Sequence, residues 1–166
     1  MDHKSPHEQE FIKAYGAYAD AIFRHCYFRV YNRELAKDLM QETFTRTWDY
    51  TAKGNEVKNI RSFLYKIANN LIIDHIRKKK ESSLEALQET GFEPSHTTKD
   101  NLHIHIDAEQ VIHVIGQLDE MYREPVLMRY IDGLKPKEIA ELLNETVNVV
   151  SVRINRGVKQ LRALLK

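Results

Sequence analysis

Apolar residues recur at three- and four-residue intervals through most of the chain, the spacing of helices that pack by one side. Phe11, Ile12, Tyr15, Tyr18, Ala19, Ile22, Phe23, Cys26, Tyr27 and Val30 predict a long core-facing helix that ends near Tyr31. Ahead of it, Ser5-Pro6-His7-Glu8 has the capping-box order of hydroxyl, proline and carboxylate. Asn32 can cap a second helix with Leu35, Ala36, Leu39, Met40, Phe44, Thr47 and Trp48 as its buried stripe. Residues 49–58 hold Gly54, Asn55 and few apolar side chains, which predicts a loop. Asn59 can then cap a third helix running to about Lys80, packed through Ile60, Phe63, Leu64, Ile67, Ala68, Leu71, Ile72 and Ile76.

The pattern breaks over residues 81–106, where serines, threonines, Gly91 and Pro94 mix with acids. This reads as a linker, with at most a short helical turn around Leu84–Leu87. Periodicity returns near Asp107. Val111, Ile112, Ile115 and Leu118 give one helix, and Asp119 can cap the next, with Tyr122, Val126, Leu127, Tyr130 and Ile131 as its apolar positions. Pro125 lies inside that helix and should cost it one hydrogen bond and bend it. Residues 133–165 then read as a short helix, a tight turn and a longer basic helix. Pro136 suits a helix start, Asn144 a left-handed exit, and Thr146 an N-cap. On the last helix Val150, Ile154, Val158, Leu161 and Leu165 share one face, and Gly157 among them permits close approach. Asn148, Val149, Val152, Asn155, Arg156 and Lys159 share the other. The fold class expected is all-α: two small helical domains (1–80 and 107–166) joined by an acidic linker (81–106), the second containing a helix-turn-helix.

Charge distribution sharpens this division. The formal net charge is only +1, yet residues 58–80 carry seven basic residues against Asp74, and residues 81–109 carry seven acids against Lys99. Two cationic blocks flanking an acidic stretch suggest two anion-contacting surfaces. From Val147 onward there are five basic residues and no acid, and a helix that packs by one face and offers Asn and Arg on the other suits a DNA major groove. An ordinary amphipathic helix with solvated charges is the plainer alternative.

Other candidate chemistry is sparse. Arg77–Lys80 complements a helix C-terminus, but four cations in a row exceed what capping needs. Tyr50, Phe63 and Tyr65 lie near this block and are either base-stacking aromatics or core. Asp38, Gln41, Glu42, Thr45 and Arg46 form the outer face of the second helix, a solvated surface or a partner site. His103, His105 and His113 lack the companion ligands of a metal centre, so no metal and no cofactor is expected. The single cysteine excludes an internal disulfide, and Cys26 on an apolar face reads as a buried thiol. No Gly-rich phosphate loop or nucleophile motif supports an enzyme. The N-terminus has no signal-peptide pattern and no run is of membrane-span length, so a cytoplasmic protein without membrane insertion is expected.

Three stretches together resemble the bacterial sigma factors of RNA polymerase, specifically the two-domain extracytoplasmic-function (ECF) group. They are ELAKDLMQETF from Glu34 with Trp48, FLYKIANNLIIDHIR from Phe63, and LDEMYREPVLMRYIDGLKPKEIAELL from Leu118. The resemblance implies a promoter-specific initiation factor without catalysis, whose partners are core RNA polymerase, promoter DNA and, as is common in the group, an anti-sigma factor. It implies that Asp38, Gln41, Glu42 and Phe44 dock on the polymerase clamp. It implies that the loop 51–59 and Arg61, Lys66, Asn70, Arg77 and Lys78 capture and melt the minus-ten element. Arg129, Ser151, Val152, Asn155 and Arg156 would match the minus-thirty-five readers, with Arg153 on a phosphate. The helices before the motif would sit on the polymerase flap, and the linker would run toward the RNA exit path. Asn144 stands where the family has Gly, Phe63 where it has Trp, and Asn148-Val149 where it has Gly-Thr. Glu145 replaces a common apolar residue, and Ser151-Val152 a common cation-serine pair, so promoter preference does not carry over. The competing reading is an autonomous helix-turn-helix regulator, which leaves the Asp38–Glu42 face and the 58–80 block without a role.

Overall fold

A computed structural model describes residues 4–89 and 105–165. Seven helices, and no strand, occur among the described residues: α1 (Pro6–Val30), α2 (Arg33–Ala52), α3 (Ile60–Glu89), α4 (His105–Gly116), α5 (Glu120–Tyr130), α6 (Pro136–Leu143) and α7 (Val147–Leu164). The first three pack mutually into one helical unit. The last four form a second unit around α7, and α3 meets α6 where the units touch.

The start signals act as their chemistry dictates. The Ser5 hydroxyl accepts from the Glu8 amide while the Glu8 carboxylate accepts from the Ser5 amide. The side-chain oxygens of Asn32, Asn59 and Thr146 accept from the Leu35, Ser62 and Val149 amides. Asp119 departs from expectation. Its carboxylate makes no cap and accepts instead from Gln160 Nε2 at 2.7 Å, while Gln160 Oε1 takes the Asp119 amide, which ties α5 to α7. Tyr31 and Asn144 end α1 and α6 in the left-handed conformation, and Glu145 N–H reaches back to Ala140 O at 3.0 Å.

Two boundaries differ from the sequence pattern. α2 continues to Ala52, so the loop is residues 53–59. α3 does not stop at Lys80 but runs to Glu89, because 81–89 holds no Gly or Pro and is rich in Glu, Leu, Ala and Gln, which favour helix. The rest of the expected linker, residues 90–104, lies outside the described residues, as does His103. α5 passes through the buried Pro125 as one helix. Pro125 has no N–H to offer the carbonyl of Met121 four residues earlier, and Met121 is itself exposed.

Ile22, Cys26, Ala36, Phe44, Leu64, Ala68 and Ile72 are buried in a core that continues through Met128, Leu134, Ile139, Val150 and Ile154 of the second unit. Phe28 of α1 packs against a second cluster of Ile115, Leu118, Val126 and Leu127. On α7, Val150, Ile154 and Gly157 are buried as their spacing predicts; Leu165, past the last turn, is 71% exposed. Tyr130 is likewise exposed at the end of α5. Burial pushes the Cys26 thiol up to about 12, which keeps it protonated and inert.

Candidate nucleic-acid interface

The loop after α2 and the first turns of α3 build a cleft of about 370 Å³. Gly54, at φ +85°, turns the chain, and Asn55 Nδ2 pins the loop to Tyr50 O at 2.9 Å. Asn59 then starts α3, which delivers residues 62, 63, 66, 69 and 70 to one side at helical spacing. The cleft is lined by Tyr50, Lys58, Asn59, Phe63, Lys66, Asn69 and Asn70, and on its far wall by Leu134, Glu138, Glu141 and Leu142 of the second unit. The Tyr50 and Phe63 rings lie 4.9 Å apart at 35°. An aromatic pair beside two lysines and three carboxamides can stack a base, pair with its edge and hold its phosphate.

Tyr65 borders the cleft but gives it almost no surface. It is 1% exposed, edge-on to His25 at 5.2 Å, and burial raises its phenol pKa. Of the expected DNA contacts on α3, Lys66 and Asn70 are exposed in the cleft. Arg77 lies seven residues from Asn70, two turns along the same face, with Asp74 3.0 Å away, and Lys78 is exposed beside it. Arg61 is otherwise engaged: it sits over the Tyr65 ring at 5.7 Å, pairs with Glu138 at 3.1 Å and reaches Gly133 O at 3.4 Å. Lys58, Asn59 and Asn69 join the cleft although their spacing alone did not single them out.

The second surface is the outer face of α7. Val152, Asn155, Arg156 and Lys159 are exposed together and Ser151 is half-buried beside them. Arg153 is drawn aside by Glu145, 3.1 Å away across the turn. Arg129 is exposed on α5 and donates to Leu134 O at 3.3 Å. The backbone of α7 is brought close to α5 by Gly157, where an added Cβ would stand 2.5 Å from Val126 Cγ2 and 3.2 Å from Tyr122 Cβ. That contact fixes which face of α7 turns outward.

On α2, Asp38, Gln41 and Glu42 form an exposed patch, with Arg46 bound to Glu42 at 2.7 Å. Phe44 does not belong to it. It is 3% exposed and faces Phe11 and Tyr15 at ring distances of 6.1 and 4.8 Å, so it holds the helix from inside. Beneath it the Thr43 and Thr47 hydroxyls, also buried, donate to carbonyls four residues back and need no other partner.

One polar cluster escaped the sequence reading. His25 and Arg29, one turn apart on α1, converge on Asp132 from the loop after α5. His25 Nδ1 donates to Asp132 Oδ2 at 2.8 Å, and Arg29 donates to the same oxygen at 2.9 Å and to Glu124 at 3.2 Å. The Asp132 side chain is fully buried and that of Arg29 is 3% exposed. Burial, then the Arg29 charge, lowers the His25 pKa below its ordinary 6.5, so the imidazole is neutral at neutral pH. The available signal was two polar residues at i and i+4 within the stripe from Ile22 to Val30. Nothing local points to a partner more than 100 residues away.

With this geometry in hand, the comparisons are specific. Residues 14–82 match the model of sigma-70 region 2 and residues 108–161 that of sigma-70 region 4. The ECF RNA polymerase sigma factor SigW of Bacillus subtilis is 30% identical over 98% of this chain and 92% of that protein. SigM of the same organism is 26% identical over 90% and 91%. Among solved structures, the sigma factor RpoE bound to the anti-sigma factor NepR from Bartonella quintana superposes with a TM-score of 0.77 at 17% identity, covering 95% of this chain and 97% of that one. CnrH in complex with the cytosolic domain of CnrY gives 0.71 at 22%, covering 95% and 88%. Among the described residues no helix is long and apolar enough to cross a membrane. Two region models in order, a helix-turn-helix within the second, and a relative aligned end to end lead to one conclusion: the chain belongs to the ECF sigma factors, non-enzymatic proteins that direct RNA polymerase to start transcription at particular promoters.

Proposed function

We infer that the two helical units divide promoter recognition between them. The unit of α1–α3 captures and melts the minus-ten element, and the unit of α4–α7 reads the minus-thirty-five element as duplex. The observation that carries this is the cleft, where Tyr50, Phe63, Lys66 and Asn70 surround a space suited to one unstacked base. Extruding a base costs a few kcal/mol, and stacking of about 1–3 kcal/mol per base with nearby cations can offset it. Arg77 and Lys78 continue the cationic path along α3. Val152, Asn155 and Arg156 on α7 are the base readers, Ser151 and Arg129 lie at the edge of that footprint, and Arg153 meets phosphate after exchanging Glu145 for it. Asp38, Gln41 and Glu42 dock on the polymerase clamp, and an anti-sigma factor is a further partner by analogy with the RpoE complex.

The test is reconstitution with core RNA polymerase on a promoter found by mapping transcription starts after overproduction of this chain. Asn70→Ala should reduce strand opening, read by permanganate reactivity of unpaired thymines, while polymerase binding is retained. Loss of polymerase binding in that variant would overturn the division of roles.

A further inference from the structure

The wall of the cleft that faces Lys58, Lys66 and Asn70 belongs to the other unit, and it is acidic. Glu138 and Glu141 of α6 line the cleft opposite those residues, adding to Glu56 of the loop beside Lys58, and Glu138 already holds Arg61 at 3.1 Å. The place where a phosphate would sit therefore has carboxylates beside it, supplied by the chain itself. Besides the core shared through Met128, Leu134 and Ile139 and the Arg61–Glu138 pair, what holds α6 there is the joint between α1 and the end of α5. Asp132 is bound by His25 and Arg29, Glu124 by Arg29, and Phe28 packs against the cluster of Ile115, Leu118, Val126 and Leu127.

That joint is built to close fully or to part. His25 Nε2 and Asp132 Oδ1 are buried with no hydrogen-bond partner among the described residues. Buried ion pairs give back much of their attraction as desolvation, so separation rehydrates these groups rather than stranding them. Removing one member, by contrast, leaves the others buried and unpaired, which strongly disfavours the closed state.

We propose that the His25–Arg29–Asp132 cluster is an autoinhibitory latch: it holds the acidic face of α6 across the cleft, so that the free chain is closed to single-stranded DNA until its two halves separate. The proposal rests on the cleft being the strand-capture site. A closed state populated above nine-tenths reduces apparent affinity by about tenfold or more, because only the open fraction binds.

The experiment uses the full chain and two readouts: the radius of gyration from small-angle X-ray scattering, and the affinity for a fluorescein-labelled 12-nucleotide oligothymidylate. Asp132→Asn should expand the molecule at unchanged helix content and bind the oligonucleotide about tenfold more tightly than the unaltered chain. Glu141→Gln, which leaves the Arg61–Glu138 pair between the units intact, should stay compact yet gain affinity, since it removes a competing charge without touching the latch. An unchanged radius and affinity in Asp132→Asn, or expansion without tighter binding, overturns the proposal. Should Asp132→Asn lose helix content, Glu141→Gln decides alone, and no gain there overturns the proposal. Failure of the cleft reading itself is seen separately, as promoter opening on polymerase that is indifferent to Asn70→Ala.

Discussion

Gly157→Ala tests how α7 is seated, and its size can be worked from two distances. The new methyl carbon would lie 2.5 Å from Val126 Cγ2 and 3.2 Å from Tyr122 Cβ. Neither neighbour yields easily. Val126 is buried and β-branched, with few rotamers open to it, and Tyr122 Cβ moves only with its backbone. Overpacking of this kind costs about 1–3 kcal/mol. Against it stands the gain of about 1 kcal/mol from replacing glycine with alanine inside a helix. The net expectation is a loss of about 1 kcal/mol, which in a chain of this size lowers Tm by about 2–4 °C. Thermal unfolding followed by circular dichroism measures it, and a double-mutant cycle identifies the cause. Val126→Ala removes the obstructing methyl, so the pair should be about 1–2 kcal/mol more stable than the two single changes add up to. If Gly157→Ala raises Tm and shows no coupling to Val126→Ala, the close approach of α7 to α5 is refuted, and with it the account of which α7 face points outward.

Three further outcomes are expected. Phe44→Ala should cost about 3–5 kcal/mol in denaturant unfolding, whereas Gln41→Ala should leave stability within about 0.5 kcal/mol and weaken core polymerase binding measured by fluorescence anisotropy; the reverse pattern would return Phe44 to the docking surface. Arg156→Ala should weaken promoter recognition by about 1–3 kcal/mol with the change concentrated at one base position, and a uniform loss across sequences would make it a phosphate contact. His25, faced by Arg29, Asp132, Glu124 and Tyr65, has a lowered folded pKa, so the unfolded chain binds its proton first as pH falls. Its contribution is therefore whole above 6.5 and is lost as pH drops through the folded value; His25→Asn, which keeps a donor toward Asp132, should flatten the acid limb of a Tm-against-pH curve, and an unaltered limb would discount the imidazole.

What could be read from the chain without coordinates was whatever is settled locally. Ser5, Asn32, Asn59, Thr146 and Asn144 each act on amides or carbonyls within five residues, so their roles follow from order alone. Even here competition intervenes: Asp119 had the right chemistry for a cap, but Gln160 across the unit offered its carboxylate a different partner. Burial of aromatics was less legible, because periodicity gives a face and not its depth. Tyr65 and Phe63 lie two apart on α3, and one is core while the other opens on the cleft. Phe44 carried a family motif and an apolar stripe at once, and the stripe prevailed. Least legible was Asp132 with His25 and Arg29, a meeting arranged by the packing of whole helices.

The unbroken course of α3 from Ile60 to Glu89 has a consequence for geometry. At about 1.5 Å per residue, Arg77 stands roughly 10 Å beyond Asn70 along the same rod. No hinge separates them, so under the proposed roles, with Asn70 on a base and Arg77 on the backbone, the two grips form a calliper whose jaws cannot be reset independently. On that proposal a promoter is measured as well as spelled: a nucleic acid strand must fit that interval, whatever letters it carries.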